Sequence, residues 1–433
     1  MKAPSTNFGE PLSPQSKKMV NEVRLKITQP IHPNFDTDFN IYRFIMGAER
    51  VHKKTADVVD AAAKALNNHL RMRIAMKLDY IPDTPFDENP IFYKQILPKG
   101  DILSSTDTTN RLLWFVEYAS IDVEALAETI PSSQLIKCQF VQFEHMLRVV
   151  NKQEEKTGKL SGLRHVVDLA GYEINPFTML FVSSGTLTYY TQLLHYENYP
   201  ELVAPVEMVN IAKWIHFPYK LVRAMMPTGF SDRFRLHDSN FLPALLKDIS
   251  IEDIPTTLGG KNENIRCQPA KVPTAKDFAD PVNPDLLKTL ETIHISPKKA
   301  KQINIDVTGV DKKLSWYYGT DGDIFFGIFY EPFDDIPPEN TIIHSSKQEK
   351  DVNTDELEMV FPWIKNAAKI RHEGGNIECS RPGRYWLIFS NKTSWINKRT
   401  VHLMIQLSDE NCTKRCHVDG TFSTAEPFQT FQL

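Results

Sequence analysis

The sequence lacks the motifs that would mark an enzyme. There is no Gly-x-Ser-x-Gly elbow for a serine nucleophile, no His-Glu-x-x-His pair for zinc and no Gly-x-Gly-x-x-Gly turn for a dinucleotide. Thr157-Gly158-Lys159 lacks the upstream glycine of a phosphate-binding loop. These absences disfavour catalysis, and Asp168, at the end of an expected strand, reads as a loop organiser rather than a catalytic acid. An excess of positive charge is also missing. Lys and Arg number 50 against 54 Asp and Glu, a net charge of -4, so the chain as a whole has no electrostatic case for nucleic acid. No apolar run reaches the ~18 residues of a membrane span. The opening MKAPSTNFGEPLSPQSKK has no apolar core, so no secretory leader is expected and the location reads as cytoplasmic. Cysteine is scarce: five residues (Cys138, Cys267, Cys379, Cys412, Cys416), odd in number and scattered, fit free thiols in a reducing compartment. Cys412, Cys416 and His417 lie close together without a second ligand pair, so they read as part of a loose polar tail and no metal site is expected. The sequons at Asn391 and Asn411 are expected to be unused.

The chain has 433 residues and 49.7 kDa, which is too much for one core, and 41% hydrophobic with 24% charged residues is an ordinary globular composition. Residues 1–34 read as a flexible entry with a short helix at 13–28. A helical hairpin is expected over 37–76, where Phe39, Tyr42, Ile45 and Met46 share a face and Arg71, Arg73 and Lys77 form a basic cluster. Residues 80–110 read as a Pro/Asp-rich connection. The period then changes. Strands are expected at 112–119, 163–169, 206–211 and 234–237, with helices from about 122, at 132–152 (Ser132 or Ser133 as N-cap), 176–196, 213–226 and 240–247. Strands alternating with long crossovers imply a mostly parallel sheet flanked by helices. Residues 261–296 read as a linker. Seven short strands then follow, at 301–307, 312–319, 323–330, 356–361, 375–379, 383–391 and 399–407, and argue a β-sandwich.

The stretch 198–226, NYPELVAPVEMVNIAKWIHFPYKLVRAMM, sets an unusually apolar helix between two strands. With no catalytic motif beside it, its simplest use is to cover a cavity holding something equally apolar. Together with DTTNRLLWF (107–115), LRHVVDLAGY (163–172) and SDRFRLHDSNFLPALLKDISIEDIPTTLGG (231–260), it resembles a CRAL-TRIO lipid-binding domain, and residues 38–76 resemble that family's helical N-terminal extension. The C-terminal third resembles a GOLD (Golgi dynamics) β-sandwich through LSWYYGTDGDIFFGIFY (314–330), a Gly374-Gly375 turn and CSRPGRYWLIFSNKTSWINKRTVHLMIQL (379–407). The order of modules resembles the supernatant protein factor and tocopherol-associated protein family. The domains so implied are a flexible entry (1–34), a helical cap (35–80), an α/β lipid-binding domain (81–260), a linker (261–296), an all-β GOLD-like sandwich (297–408) and a tail (409–433).

The resemblance implies one lipid held tail-in under a gate helix that also meets the membrane. No other cofactor is implied. Val166, Leu169, Phe177, Leu180, Phe181, Leu187, Tyr190, Met208 and Ile211 are the expected pocket walls, although composition alone does not separate pocket from core. Trp214, Ile215, Phe217, Leu221, Val222, Met225 and Met226 are the apolar residues of the gate, interspersed with Lys213, Lys220 and Arg223. Phosphatidylinositol-binding members carry a Glu after Tyr-Pro, a Lys before the last strand and an Arg-rich RFLRAR element in the cap. Here Glu201 and Arg233 occupy the first two places. The cap reads Arg43-Phe44-Ile45-Met46-Gly47-Ala48, with only the first Arg kept. That departure weighs against a phosphoinositide and leaves another phospholipid, an isoprenoid or a retinoid open. The partners implied are a lipid ligand, a peripheral membrane (Golgi or other) and, through the GOLD-like domain, a protein. Lys392, Lys398 and Arg399 mark that domain's basic hairpin. The function expected is lipid transfer or presentation. The alternative is a regulatory adaptor whose GOLD-like domain recruits a partner under lipid control.

Overall fold

The structure, a computed structural model, describes residues 5–83, 97–122, 126–128, 130–172, 191–224, 226–227, 229–265, 267–271, 284–334 and 352–427. The cap consists of α1 (Pro14–Arg24), α2 (Asp38–Glu49) and α3 (Thr55–Met76). Ser13 and Thr37 cap the first two by accepting from the backbone N–H three residues on, and Pro14 occupies the first turn, where its missing N–H costs nothing.

The α/β domain holds β1 (Ile102–Thr106), β2 (Arg111–Glu117), α4 (Ser132–Thr157), β3 (Gly162–Asp168), α5 (Thr191–Asn198), β4 (Val203–Val209), α6 (His216–Arg223), β5 (Phe234–Leu236) and the short α7 (Leu242–Leu245). The strands lie in the order β1-β2-β3-β4-β5. The pairs from β2 to β5 are parallel, as expected, whereas β1 runs antiparallel to β2. β1 was expected to be connection: ILSST offers one Ile, one Leu and three hydroxyls, too little pattern to separate an edge strand from a loop.

Strand alternation gives this sheet two different faces. Leu113, Phe115, Val166 and Val209 face Phe241, Leu245, Ile249, Ile254 and Leu258 in one sealed core. Leu112, Trp114, Val116, Leu163, Val167, Val203 and Val206 face the cap and α4. α4 ends at Gly158, whose φ of 66° is the left-handed conformation that closes a helix without a Cβ penalty.

After α8 (Pro284–Thr289) the chain is β only: β6 (Glu291–Ile295), β7 (Ala300–Val307), β8 (Lys312–Thr320), β9 (Ile324–Glu331), β10 (Glu358–Asn366), β11 (Glu373–Cys379), β12 (Gly383–Ser390), β13 (Arg399–Ser408), β14 (Thr413–Cys416) and β15 (Phe422–Thr424). One sheet runs β10-β9-β12-β7. The other runs β11-β8-β13-β14-β15, with β6 also paired to β13, and every pairing is antiparallel. Ile303, Phe326, Leu387 and Phe389 of the first sheet share a core with Trp316, Tyr318, Leu403 and Ile405 of the second. Two boundaries move. β6 lies in the expected linker and β14–β15 lie in the expected tail, so both segments belong to this domain. Gly374-Gly375 is not a turn but part of β11, where a Cβ on Gly375 would stand 2.7 Å from the Trp316 ring.

The first sheet is also covered on its outer side. Phe329, Met359, Trp386 and Ile388 join the core formed by the cap and α4, which explains why β9 and β12 are apolar on both faces. Arg71 of α3 reaches across to donate to the backbone carbonyls of Thr354 and Leu357. Neither Ser132 nor Ser133 caps α4 locally. Both hydroxyls donate to the buried carboxylate of Glu373, 3.2 Å from the Ser133 N–H, so a side chain 240 residues downstream takes the cap's place. Arg71 and Arg73 therefore form no surface basic cluster. Arg73 is buried between Asp79 and Glu144.

Candidate functional site

The cap-facing side of the sheet differs from the sealed side in one respect. Leu113, Phe115, Val166 and Val209 are fully buried, whereas His165 on β3 and Met208 on β4, inside the same sheet, keep some accessible surface, as does Phe234 on the edge strand β5. Accessible surface inside a sheet means that, among the described residues, the layer above it does not fill all of the space. α6 lies on this side, reached through the single turn Lys213–Ile215, and Ile215 anchors that turn in the core.

The helix is shorter than expected, but its pattern is clear. Trp214, Phe217 and Leu221 are 63%, 72% and 51% exposed, three large apolar side chains on one outward face. Exposed Lys213, His216, Lys220 and Arg223 lie among them, and Tyr219 is half-buried. The final Arg223 pairs with Asp232 at 2.9 Å, tying the end of α6 to the segment before β5. Met226 follows the helix half-buried, Val222 lies within it, and Met225 falls outside the described residues.

Next to Asp232 is Arg233, the most unusual side chain of the domain. It is buried, yet no carboxylate stands within ion-pair distance of it among the described residues. Its guanidinium lies 4.6 Å from the Phe230 ring centroid, 4.8 Å from Phe234 and 5.5 Å from Tyr196. Its nearest polar contacts, to the backbone and side-chain oxygens of Gln192, are long, 3.4 and 3.5 Å. Burial lowers its pKa to about 10, only partly offset by Tyr196 and Glu201. Around it, Nε2 of His165, both ring nitrogens of His195 and Oη of Tyr219 are buried without a hydrogen-bond partner. Burial lowers both histidines to about 3, and the Arg233 charge lowers them further in the same direction, so both are neutral at physiological pH.

Glu201 does not pair with Arg233. Its carboxylate takes a two-pronged ion pair from Arg50, with Nε–Oε1 2.6 Å and Nη2–Oε2 2.8 Å, and this contact raises the Arg50 pKa. Arg50 is the residue the sequence reading missed. It stands seven positions after Arg43, two turns further along the same face of the cap helix, just beyond the stretch searched for a second Arg. Arg43 itself is structural, held by Glu154 at 2.6 Å and by the Ser161 carbonyl. Gly47 has its own reason: a Cβ there would stand 3.2 Å from Pro200, next to Glu201. Gly229, at φ 84°, brings the chain after α6 against Arg50 and the Tyr196 hydroxyl, so one loop covers both halves of the polar cluster.

Among the expected pocket walls, Met208, Leu169 and Ile211 lie on the cap-facing side. Val166 does not. Strand alternation turns it into the sealed core, opposite His165 and Val167. Phe177, Leu180, Phe181, Leu187 and Tyr190 fall outside the described residues. Asp168 accepts from Asn210 Nδ2 at 2.7 Å and from the Ala170 N–H at 3.0 Å, a loop-organising role. Cys416 is buried and Cys412 exposed, and His417 bonds Glu291, so the three do not converge on a common point. No helix among the described residues is long and apolar enough to cross a membrane.

A mostly parallel α/β sheet, sealed on one face and, among the described residues, less fully covered on the other, beneath an amphipathic helix, defines the class of domain. Residues 101–260 match the CRAL/TRIO domain, a family whose members generally bind or transfer lipids. Residues 12–81 match a domain of unknown function (DUF8435), and residues 280–415 match an F28H7_8_C-like C-terminal domain. Among curated relatives, the CRAL-TRIO domain-containing protein F28H7.8 of Caenorhabditis elegans is 22% identical over 393 residues, covering 89% of each chain. Protein ctg-1 of the same organism is 22% identical over 370 residues, covering 81% of this chain and 88% of its own. The crystal structure of Sfh5 covers 58% of this chain and 89% of its own at 12% identity and a TM-score of 0.41, a likeness too slight to carry an argument.

Proposed function

We propose that this protein binds a single lipid with an anionic headgroup in the space between the cap-facing side of the sheet and α6, and loads and presents it at membranes through that helix. The observation that carries this reading is Arg233, a buried cation with no carboxylate partner among the described residues, set in an aromatic box beside buried polar atoms that lack hydrogen-bond partners. Burying an uncompensated charge is costly unless a partner arrives, and a guanidinium matches the oxygens of a phosphate or carboxylate. Arg50, clamped on Glu201, supplies a second cap Arg of the kind whose absence from residues 43–48 weighed against a phosphoinositide.

The exposed apolar face of α6, flanked by bases, suits insertion at an anionic bilayer surface. The C-terminal sandwich, read as GOLD-like, is then the module that addresses the carrier to its site of action. The reading assigns no reaction to the protein.

Native mass spectrometry after incubation with phosphatidylcholine–phosphatidylserine–phosphatidylinositol vesicles tests the proposal. One anionic phospholipid per protein is expected. The exposed Leu221→Asp variant should fold normally and take up lipid at least about tenfold more slowly, because a charge on the inserting face is opposed by the bilayer. A protein that stays lipid-free, or a folded variant that loads at the original rate, refutes it.

A further inference from the structure

The loop between β12 and β13 presents Trp395 and Ile396, 82% and 86% exposed, side by side at its tip. Isolated exposed apolar residues are ordinary, but an adjacent Trp–Ile pair at a loop tip leaves most of both side chains in water.

The loop that carries them is firmly built. Asn391 is buried, and its side-chain amide donates to the carbonyls of Ile295 at 3.1 Å and Asn397 at 2.8 Å. Its backbone N–H and carbonyl bond to Lys299 and Lys298. Ser394 closes the turn, its Oγ donating to the Asn397 carbonyl and accepting the Asn397 N–H. Much of the loop backbone is thus satisfied internally, which a segment entering a low-dielectric layer requires. The same bonds bury the Asn391 amide, so the sequon there is unsuited to glycosylation.

The surroundings are cationic. Lys298 places its ammonium 3.4 Å from the Trp395 ring centroid, and Lys299, Lys392 and Lys398 are exposed beside it. No Asp or Glu occurs from 292 to 305 or from 385 to 408. Asp321 and Asp323, on the β8–β9 turn beside the start of β13, are engaged: Asp321 accepts from the Thr400 N–H and Asp323 pairs with Lys365.

We propose that this loop is a membrane-docking element, in which Trp395 and Ile396 enter the headgroup–acyl boundary of an anionic phospholipid bilayer while the surrounding lysines contact its surface. Trp suits that boundary because its ring is apolar and its N–H polar, and each lysine near an anionic surface adds attraction. This site is separate from α6. It gives the C-terminal domain a lipid-surface role of its own, independent of whether the CRAL/TRIO domain holds a lipid.

Sedimentation of the full chain with phosphatidylcholine vesicles, with and without phosphatidylserine, tests the proposal. Binding is expected to need phosphatidylserine and to weaken with salt. Trp395→Ala/Ile396→Ala should lower it at least about tenfold, from the lost apolar burial. Lys398→Gln should lower it roughly fivefold, the effect of one lysine at an anionic surface. Both changes are solvent-facing, so an unchanged melting temperature confirms folding. Equal binding to neutral and anionic vesicles, or full binding by the double variant, overturns the proposal, and a protein partner would then be the occupant to seek. A monomeric short-chain phosphatidylserine reads the interior site alone. If the unaltered protein takes up none while vesicle binding still depends on Trp395, the carrier reading falls and this one stands. If uptake is normal and the loop is dispensable, the reverse holds.

Discussion

Replacing Arg233 by Met should make the lipid-free protein more stable while abolishing capture of an anionic lipid. Burial lowers the Arg233 pKa from 12.5 to about 10, which corresponds to a desolvation cost of roughly 3 kcal/mol. The Phe230, Phe234 and Tyr196 rings return part of this, about 1–2 kcal/mol for a desolvated cation–π site. Methionine keeps the packing of the stem and removes the charge, so a net gain of roughly 1–2 kcal/mol is expected. At about 2–4 °C per kcal/mol for a domain of this size, the melting temperature should rise by roughly 2–8 °C. The assay is a thermal melt of delipidated protein, paired with native mass spectrometry after exposure to phosphatidylserine vesicles. Arg233→Lys, which keeps a charge but loses the planar fork, should retain part of the binding without the gain in stability. If Arg233→Met melts lower than the unaltered chain and still loads lipid, Arg233 is a satisfied structural residue and the reasoning is wrong.

Three further outcomes follow from buried polar groups. His69 and His195 are fully buried, and burial lowers both to about 3 from 6.5, with Arg73 and Arg233 respectively adding to the shift. A depressed histidine contributes stability that is complete above the unfolded pKa and is lost as pH falls, so unfolding free energy should drop by about 2 kcal/mol per histidine between pH 6.5 and 5. Glu154 and Glu373, raised by burial, oppose part of that loss. Urea titrations at pH 7 and 5 measure the balance, and a flat profile contradicts the assignment of neutral buried histidines. Ser132→Ala removes a bond to Glu373 and the acceptor of the Ala367 N–H (2.9 Å), and should cost about 1–3 kcal/mol in denaturant unfolding. Arg73→Met leaves Glu144 buried with only the Tyr199 hydroxyl, at 2.7 Å, to satisfy it. The expected loss is about 3–5 kcal/mol, largely recovered in Arg73→Met/Glu144→Met; without that recovery the ion pair is not the cause.

The sequence by itself determined the parts that depend on local pattern. Period and length separated the α/β half from the β half. Alternation placed β2, β3 and the strands from β7 to β13 to within a few residues. The apolar 213–226 stretch drew attention to the helix that proves to be exposed and amphipathic. These signals are legible because they repeat over neighbouring residues. Tertiary structure alone decided which partner each side chain meets. Val166 and Val167 are the same residue type, one position apart, yet strand alternation sends the first into a sealed core and the second toward the cap. Arg43 and Arg50 are both cap arginines. One holds α4 in place and the other clamps Glu201, because two helical turns carry them to different neighbours. Ser132 has the composition of an ordinary helix cap, but a carboxylate from the other domain reaches α4 first. The short strands β1, β6, β14 and β15 escape the sequence for the same reason: each gains its definition from the strand beside it. Arg233 is the sharpest case. The sequence singles it out only through the family resemblance, as a headgroup candidate beside Glu201, and says nothing of its surroundings. Burial among aromatic rings, with no carboxylate in ion-pair distance among the described residues, is what sets it apart from other arginines, and only the folded chain fixes those distances.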